Sequence, residues 1–315
     1  MISSVLDTVL DRTVVVGYGR LGYRIRERWW SAADLLSMRG KVVLVTGATS
    51  GLGLASAEGF ARLGASVWLL ARDPARGDQA RAQVAEQSAG GDTRVALCDL
   101  SDLETVRRFA TQFGAETPRL DVLVNNAGLL AGERTLSTDG IELTFATNVV
   151  GPFLLTNLLT PLLVRSAPSR ILNVSSGGMY TQRVDVDDLQ SARGTFDGAA
   201  VYARTKRAEV ILTELWAQRL RGSGVVVHAM HPGWVDTPGV RASLPRFYRL
   251  TKPLLRTPEQ GADTLLWLGS AASPGHSTGG FWHDREQRPT HLLPRTRETP
   301  QDRERLWSEC ERLSG

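Results

Sequence analysis

Cysteine is scarce in this chain. Its 315 residues include two, Cys98 and Cys310, which lie far apart and match no metal-ligand or redox spacing. That argues against a disulfide framework and a metal site, and suits a reducing compartment. No run of about 18 apolar residues occurs, so no transmembrane helix is expected, and the start lacks the charged-then-apolar layout of a secretory signal. An excess of one charge is also missing. Thirty-seven Lys and Arg oppose 33 Asp and Glu, a net +4 spread along the chain, too little and too dispersed for nucleic-acid binding. The expectation is a cytoplasmic protein, free or peripheral to a membrane.

What is present is an ordinary globular composition, 42% hydrophobic and 22% charged, and from Lys41 onward a regular alternation of short apolar runs with longer amphipathic ones. This alternation predicts an α/β fold, a doubly wound parallel sheet of Rossmann type. Strands are expected at Val42–Thr46, Ser66–Ala71, Arg94–Cys98, Asp121–Asn125, Arg170–Ser175 and Val225–Pro232. Helices are expected around 53–63, 75–88, 102–114, 138–165, 200–221 and 258–270. Residues 1–40 read as an N-terminal extension, 41–275 as the single domain, and the polar 276–315 as a C-terminal extension.

The first strand candidate runs into Thr46-Gly-Ala-Thr-Ser-Gly-Leu-Gly53 and then a helix. In that setting Gly47 permits the tight turn, Gly51 lets the backbone approach a pyrophosphate, and Gly53 lets helix and strand pack closely. An earlier Gly17-Tyr-Gly-Arg-Leu-Gly22 matches the dinucleotide fingerprint more literally. Only 18 residues separate it from Lys41, too few for the helix and further strand of a βαβ unit, so it reads as a decoy. Arg72, at the end of the second strand, stands where an NAD site would carry a carboxylate. Its planar guanidinium suits a 2′-phosphate. The reading favours NADP(H) and leaves NAD(H) open.

Tyr202 and Lys206 are four apart in a helical pattern, one turn apart on one face, where an ammonium stabilises a phenolate. Ser175 and Ser176 end a strand at the edge where open α/β sheets bind ligands. Asn125-Asn-Ala-Gly128 follows another strand, and Asn148 sits mid-helix, a position that disfavours Asn unless it has a specific partner.

Together these residues resemble the short-chain dehydrogenase/reductase superfamily, from Thr46–Gly53 through Asp99-Leu100, Asn125–Gly128, Asn148, Ser176, Tyr202 and Lys206 to His231-Pro-Gly-Trp-Val-Asp-Thr237. Within it, Ser175-Ser-Gly-Gly-Met179, Asp188–Ser191, Phe196–Gly198, Trp234–Val240 and Gly261–Trp267 are similar to the dehydrogenase/reductase member-12 group, related to retinol-type dehydrogenases. The resemblance implies hydride transfer between nicotinamide and a carbonyl or alcohol carbon. Tyr202 would be the acid or base, with Lys206 lowering its pKa. Ser176, or alternatively Ser175, would bind the reacting oxygen, and Asn148 would anchor a proton relay. It also implies cofactor contacts from Gly47, Thr49, Ser50, Gly51, Leu52 and Gly53; from Arg72, Asp99 and Leu100; from Asn126, Ala127 and Gly128; from Tyr202 and Lys206; and from Pro232, Gly233, Val235 and Thr237. The 26 residues from Ser176 to Tyr202 are about twice the family's spacing, so an inserted loop is expected at 177–200.

Residues 17–38 mix Arg20, Arg24, Arg26 and Arg28 with Tyr23, Ile25, Trp29 and Trp30. This composition suits a membrane interface or docking onto the enzyme's own surface. The apolar residues of 239–256, where the family places its lid, favour an apolar small-molecule substrate. Helices 138–165 and 200–221 could form a dimer interface as in many relatives, with the inserted loop and N-terminal extension as obstacles, so the oligomer stays open. The rival readings are a catalytically silent NADP(H) sensor or scaffold, which would not need the Asn–Ser–Tyr–Lys set, and a nucleotide-sugar epimerase, whose glycine loop is spaced differently.

Overall fold

Strands covered by helices on both faces are buried and mostly apolar. β1 (Val42–Thr46), β2 (Ser66–Ala71), β4 (Val122–Asn125), β5 (Ser169–Val174) and β6 (Val225–Met230) are largely buried, with the polar Thr46, Asn125, Asn173 and His228 hydrogen-bonded. The computed structural model describes Asp7 and residues 13–315. In it these strands, with the half-exposed edge strand β3 (Thr93–Leu97), join two short ones, β7 (Phe281–His283) and β8 (Glu286–Arg288). The sheet order is β3-β2-β1-β4-β5-β6-β7-β8, parallel except for β8 against β7.

The arm before β1 contains α1 (Val14–Tyr18) and α2 (Arg20–Glu27). On one sheet face α3 (Gly51–Arg62) and α10 (Pro258–Ser270) interlock, where a Cβ on Gly59 would lie 2.5 Å from Leu266. Between them and the sheet lies a core of Phe60, Leu172, Leu265 and Leu268. The opposite core joins Phe109, Phe113, Phe153 and Trp216. Its helices are α5 (Leu103–Glu116), α6 (Gly151–Arg165) and α7 (Gly198–Arg219), while α4 (Pro74–Glu86) flanks β2 and β3 and the short α8 (Pro238–Ser243) and α9 (Pro245–Thr251) follow β6. A π-helical turn, Ala146–Val150, leads into α6. The combined run Leu143–Arg165 is long and apolar enough to cross a membrane, but 67% of its apolar window is buried in the protein. Core packing accounts for its composition.

Two differences from the sequence reading concern the ends. The sheet does not stop near residue 275: β7 pairs with β6 and carries β8 through a two-residue turn, Asp284-Arg285. The polar tail also contains α11 (Pro300–Ser314), started by a Thr299/Asp302 capping box and laid on α6 and α7. There the Trp307 ring packs 4.9 Å from Phe153 and 5.8 Å from Trp216, with Arg219 stacked over it at 3.8 Å. Mostly polar, α11 shows an apolar stripe of Leu306, Trp307 and Cys310. The inserted loop turns through Gly177–Thr181 and is pinned to this tail by Tyr180 to the Pro289 carbonyl (2.7 Å) and Arg183 to Asp302 (2.6 Å).

Candidate active site

The order reversal between β1's two neighbours, β2 and β4, opens a cleft at the carboxyl ends of the strands. Gly47 and Gly51 bound the β1–α3 turn with left-handed backbone, φ 64° and 53°. Gly53 is required by contact instead: a Cβ there would lie 2.3 Å from the Gly47 carbonyl oxygen and 2.4 Å from Asn126 Nδ2. Ser50 occupies the N-cap of α3 without a side-chain cap bond, leaving first-turn N–H groups to face the cleft. This cradle fits the pyrophosphate of a dinucleotide. Thr46 Oγ1 accepts from the backbone N–H groups of Asn126 and Ala127, both at 2.9 Å, locking the ends of β1 and β4 together.

Gly47, Thr49, Ser50, Gly51, Leu52 and Gly53 line this cleft, as do Arg72, Asp99, Leu100, Asn126, Ala127, Gly128 and Thr237. Arg76 joins them, a second cation that the sequence reading passed over because it lies inside a helix. The adjacent Asp73 carboxylate is occupied in capping α4, accepting from the Arg76 N–H at 2.8 Å. Thr237 closes the far wall, its methyl carbon 3.1 Å from the Cβ position of Gly51. Pro232, Gly233 and Val235 follow β6 but do not line the cleft. The Pro232 carbonyl accepts from Arg256 at 3.3 Å, and Val235 is buried against Gly261.

β5 and α7 bring the reactive groups together. Ser175 and Ser176 separate cleanly: Ser175 is buried and donates to the Lys206 carbonyl at 2.7 Å, whereas the Ser176 Oγ accepts from the Gly178 N–H at 3.2 Å and acts on the Tyr202 phenol, favouring its ionised form. Lys206 Nζ donates to the Val174 carbonyl (2.9 Å) and to Glu209 Oε1 (2.7 Å), and lies 5.5 Å from the Tyr202 ring centroid. Asn148, in the π-helical turn, accepts from the Leu129 N–H at 2.7 Å and donates to the Leu129 carbonyl and Thr205 Oγ1. It thereby fixes the β4 loop to α7. Such π turns recur at functional sites because they reset the helical register.

Burial holds the Tyr202 phenol above its ordinary pKa, although Lys206 pulls it down; the Glu209 charge pushes it up and the Ser176 hydroxyl opposes that. Burial alone would depress the Lys206 ammonium, but Glu209 and the phenol raise it. Glu209 itself is pushed up to about 7 by burial, against the pull of Lys206. Sequence reasoning missed Glu209, whose spacing from Lys206 is that of an ordinary surface pair.

The literal glycine fingerprint of the arm lies elsewhere. Gly17–Gly19 wedges between the Ser176 turn, the loop after β6 and residue 254. The Tyr18 carbonyl accepts from the Trp234 N–H at 2.8 Å, and the Tyr18 ring packs 4.4 Å from His231. Arg256 donates to the carbonyls of Gly17 (2.8 Å) and Gly19 (3.2 Å) while paired with Asp284, which also binds Arg26 at 2.8 Å. Tyr18, Tyr23 and Arg26 therefore face inward, and Leu21 and Trp29 outward.

A family model for short chain dehydrogenase matches residues 41–246. The chain is a short-chain dehydrogenase. It is 41% identical over 300 residues to the Bos taurus dehydrogenase/reductase SDR family member 12, covering 94% of each chain, and 37% identical over 281 residues to Homo sapiens retinol dehydrogenase 12, covering 88% of each. Among solved structures, an uncharacterized protein from Mycobacterium paratuberculosis aligns with TM-score 0.72 and 30% identity over 90% of this chain and 97% of that one. The Pseudomonas aeruginosa RhlG/NADP active-site complex aligns with TM-score 0.66 and 28% identity, covering 79% and 96%. The enzyme is thus an NAD(P)-dependent oxidoreductase acting on a small-molecule substrate.

Proposed function

We propose that this enzyme is an NADP(H)-preferring reductase or dehydrogenase of apolar carbonyl and alcohol compounds. The observation that carries the cofactor preference is the pair Arg72 and Arg76 in the cleft, with Asp73 committed to a helix cap. Two guanidiniums match a 2′-phosphate, whereas a free carboxylate there would repel it.

When bound, the nicotinamide supplies or takes the hydride. Ser176 then orients the reacting oxygen, and Tyr202 gives or takes the proton at its phenolic oxygen. Lys206 offsets the negative charge on that phenol. Asn148 keeps Gly128–Leu129 against α7, so the cleft floor and the reactive helix move as one.

An apolar substrate is supported by Phe247, Tyr248, Leu250 and Leu254 in the segment that follows the cleft-lining Thr237, Leu250 being 80% exposed. Gly19 touches Leu254, so this patch continues into the outward Val14, Val15 and Leu21 of the arm. That continuity supports a cytoplasmic enzyme peripheral to a membrane, tested by co-sedimentation with liposomes. α11 covers the α6–α7 face that pairs subunits in many relatives, which supports a monomer.

The test is tryptophan-fluorescence titration of the wild type and Arg72→Ala with NADPH and NADH, followed by turnover of apolar aldehydes and ketones. Tight NADPH binding that weakens in Arg72→Ala, with turnover abolished in Tyr202→Phe, is expected. Binding without turnover would favour the sensor reading. Absence of binding by either cofactor would overturn the proposal.

A further inference from the structure

Behind the Tyr202–Lys206 pair lies a small internal cavity lined by Asn125, Asn148, Asn173, Glu209, Leu212 and Trp216, with room for about one water molecule. Two buried acceptors lining it have no donor, Asn125 Oδ1 and Glu209 Oε2. The amide orientations are fixed by a chain of bonds. The Thr213 hydroxyl donates to the Glu209 carbonyl (2.7 Å), so it must accept from Asn173 Nδ2 (2.8 Å). Asn173 Oδ1 must then accept from Asn125 Nδ2 (2.8 Å), and Asn125 Oδ1 is left without a donor. Two unpaired buried acceptors in one cavity call for hydrogens between them. A water there supplies two, and a proton on Glu209 supplies another.

The elements packed around Glu209 bring few charges. β4 presents Asn125, β5 presents Asn173 and the Val174 carbonyl, the π turn presents Asn148, and α7 itself presents Trp216, Lys206 and Tyr202. Among the described residues Lys206 is the charged group that acts on it, with Tyr202 beyond.

We propose that Glu209 is a positioning residue of the catalytic pair: it holds a proton at Oε2, shared with Asn125 through one water, and its loss or gain sets how strongly Lys206, bonded to Oε1, acts on Tyr202. This rests on the reading of Tyr202 as the acid or base. Below the Glu209 titration its carboxyl is neutral and Lys206 acts fully on the phenol. Above it the carboxylate offsets Lys206, and the phenol ionises less readily.

The test needs no turnover. Infrared difference spectra of the wild type between about pH 5 and 9 should show a carboxylic-acid C=O band that titrates away, absent in Glu209→Gln. Ultraviolet titration of tyrosine, with Tyr202→Phe as reference, should show Tyr202 ionising about one unit lower in Glu209→Gln, roughly tenfold more phenolate at a given pH. A wild type without a titrating band, or Tyr202 unmoved in Glu209→Gln, would overturn the proposal. If Glu209→Gln fails to fold, Glu209→Asp decides: a band with a displaced midpoint supports the assignment, and an identical midpoint overturns it. Failure of turnover in the wild type would count against the enzyme reading and leave these readouts intact.

Discussion

The Tyr18 ring rests on Gly177: a Cβ on Gly177 would stand 2.6 Å from Tyr18 Cε2. Gly177 follows Ser176, whose Oγ accepts from the Gly178 N–H, so the arm supports the turn that aims the Ser176 hydroxyl. Gly177→Ala should lower kcat about tenfold, roughly 1.4 kcal/mol of barrier, with little change in cofactor affinity. Tyr18→Ala placed in the same chain should recover part of the loss by removing the clash. Steady-state kinetics of the two single variants and the double variant check this, and a double variant no better than Gly177→Ala would refute it.

The stacked His231 and His283, 3.9 Å apart, make stability depend on pH. Burial holds His283 down to about 3 and His231 well below its ordinary value, with Arg256 adding to both. The unfolded chain takes up protons at these histidines below about 6.5 while the fold does not, so unfolding free energy should fall as the pH drops from there towards 3. Asp284, held well below the carboxylate range although burial opposes it, contributes above about 3.9 and loses that contribution only at lower pH. Urea unfolding across this range should give a slope that flattens in His283→Gln by about 1.4 kcal/mol per pH unit.

Much of this is legible in the sequence. β1, β2, β4, β5 and β6 declared themselves because strands buried on both faces admit few polar residues, and Pro258–Ser270 was marked by Thr257 and Pro258 at its start. β7 and β8 stayed hidden because three-residue strands show no period and their turn, Asp284-Arg285, lacks glycine. Both turn residues have positive φ, 53° and 59°, and Arg26, Arg256 and Asp263 hold them there. Tyr202, Lys206 and Ser176 were visible as a spaced set. Glu209 and Arg76 were not, because their importance comes from what the fold packs beside them. The glycines of Gly17–Gly22 were visible and stand at close contacts between α1, α2 and residue 254.

That contact can be tested directly. A Cβ on Gly22 would lie 2.5 Å from the Val16 carbonyl oxygen and 2.7 Å from that of Gly17. Gly22→Val should therefore force α1 from α2 and loosen the arm. Limited proteolysis should cleave the variant near residues 28–40 faster than the wild type. Equal cleavage rates would show that the helices separate without cost.

Arg76→Ala should weaken NADPH binding about thirtyfold, roughly 2 kcal/mol and within the ~1.5–3 kcal/mol of a charge-assisted hydrogen bond, and leave NADH binding nearly unchanged. Asp73 would still cap α4, since it bonds the backbone of residue 76 rather than its side chain. Fluorescence titration with both cofactors measures the split. Equal weakening of the two would assign Arg76 to the pyrophosphate instead.

Arg26 finds Asp284 across 258 residues of sequence. During synthesis the arm leaves the ribosome long before the strands and loop that receive it. Until then its arginines and tyrosines have no native partners, and the loop after β6 has no wedge beneath it. The nucleotide cleft can be assembled from residues already translated, whereas the support for the Ser176 turn must wait for Asp284. A chain stalled short of Asp284 would therefore hold its glycine cradle but lack the brace behind Ser176.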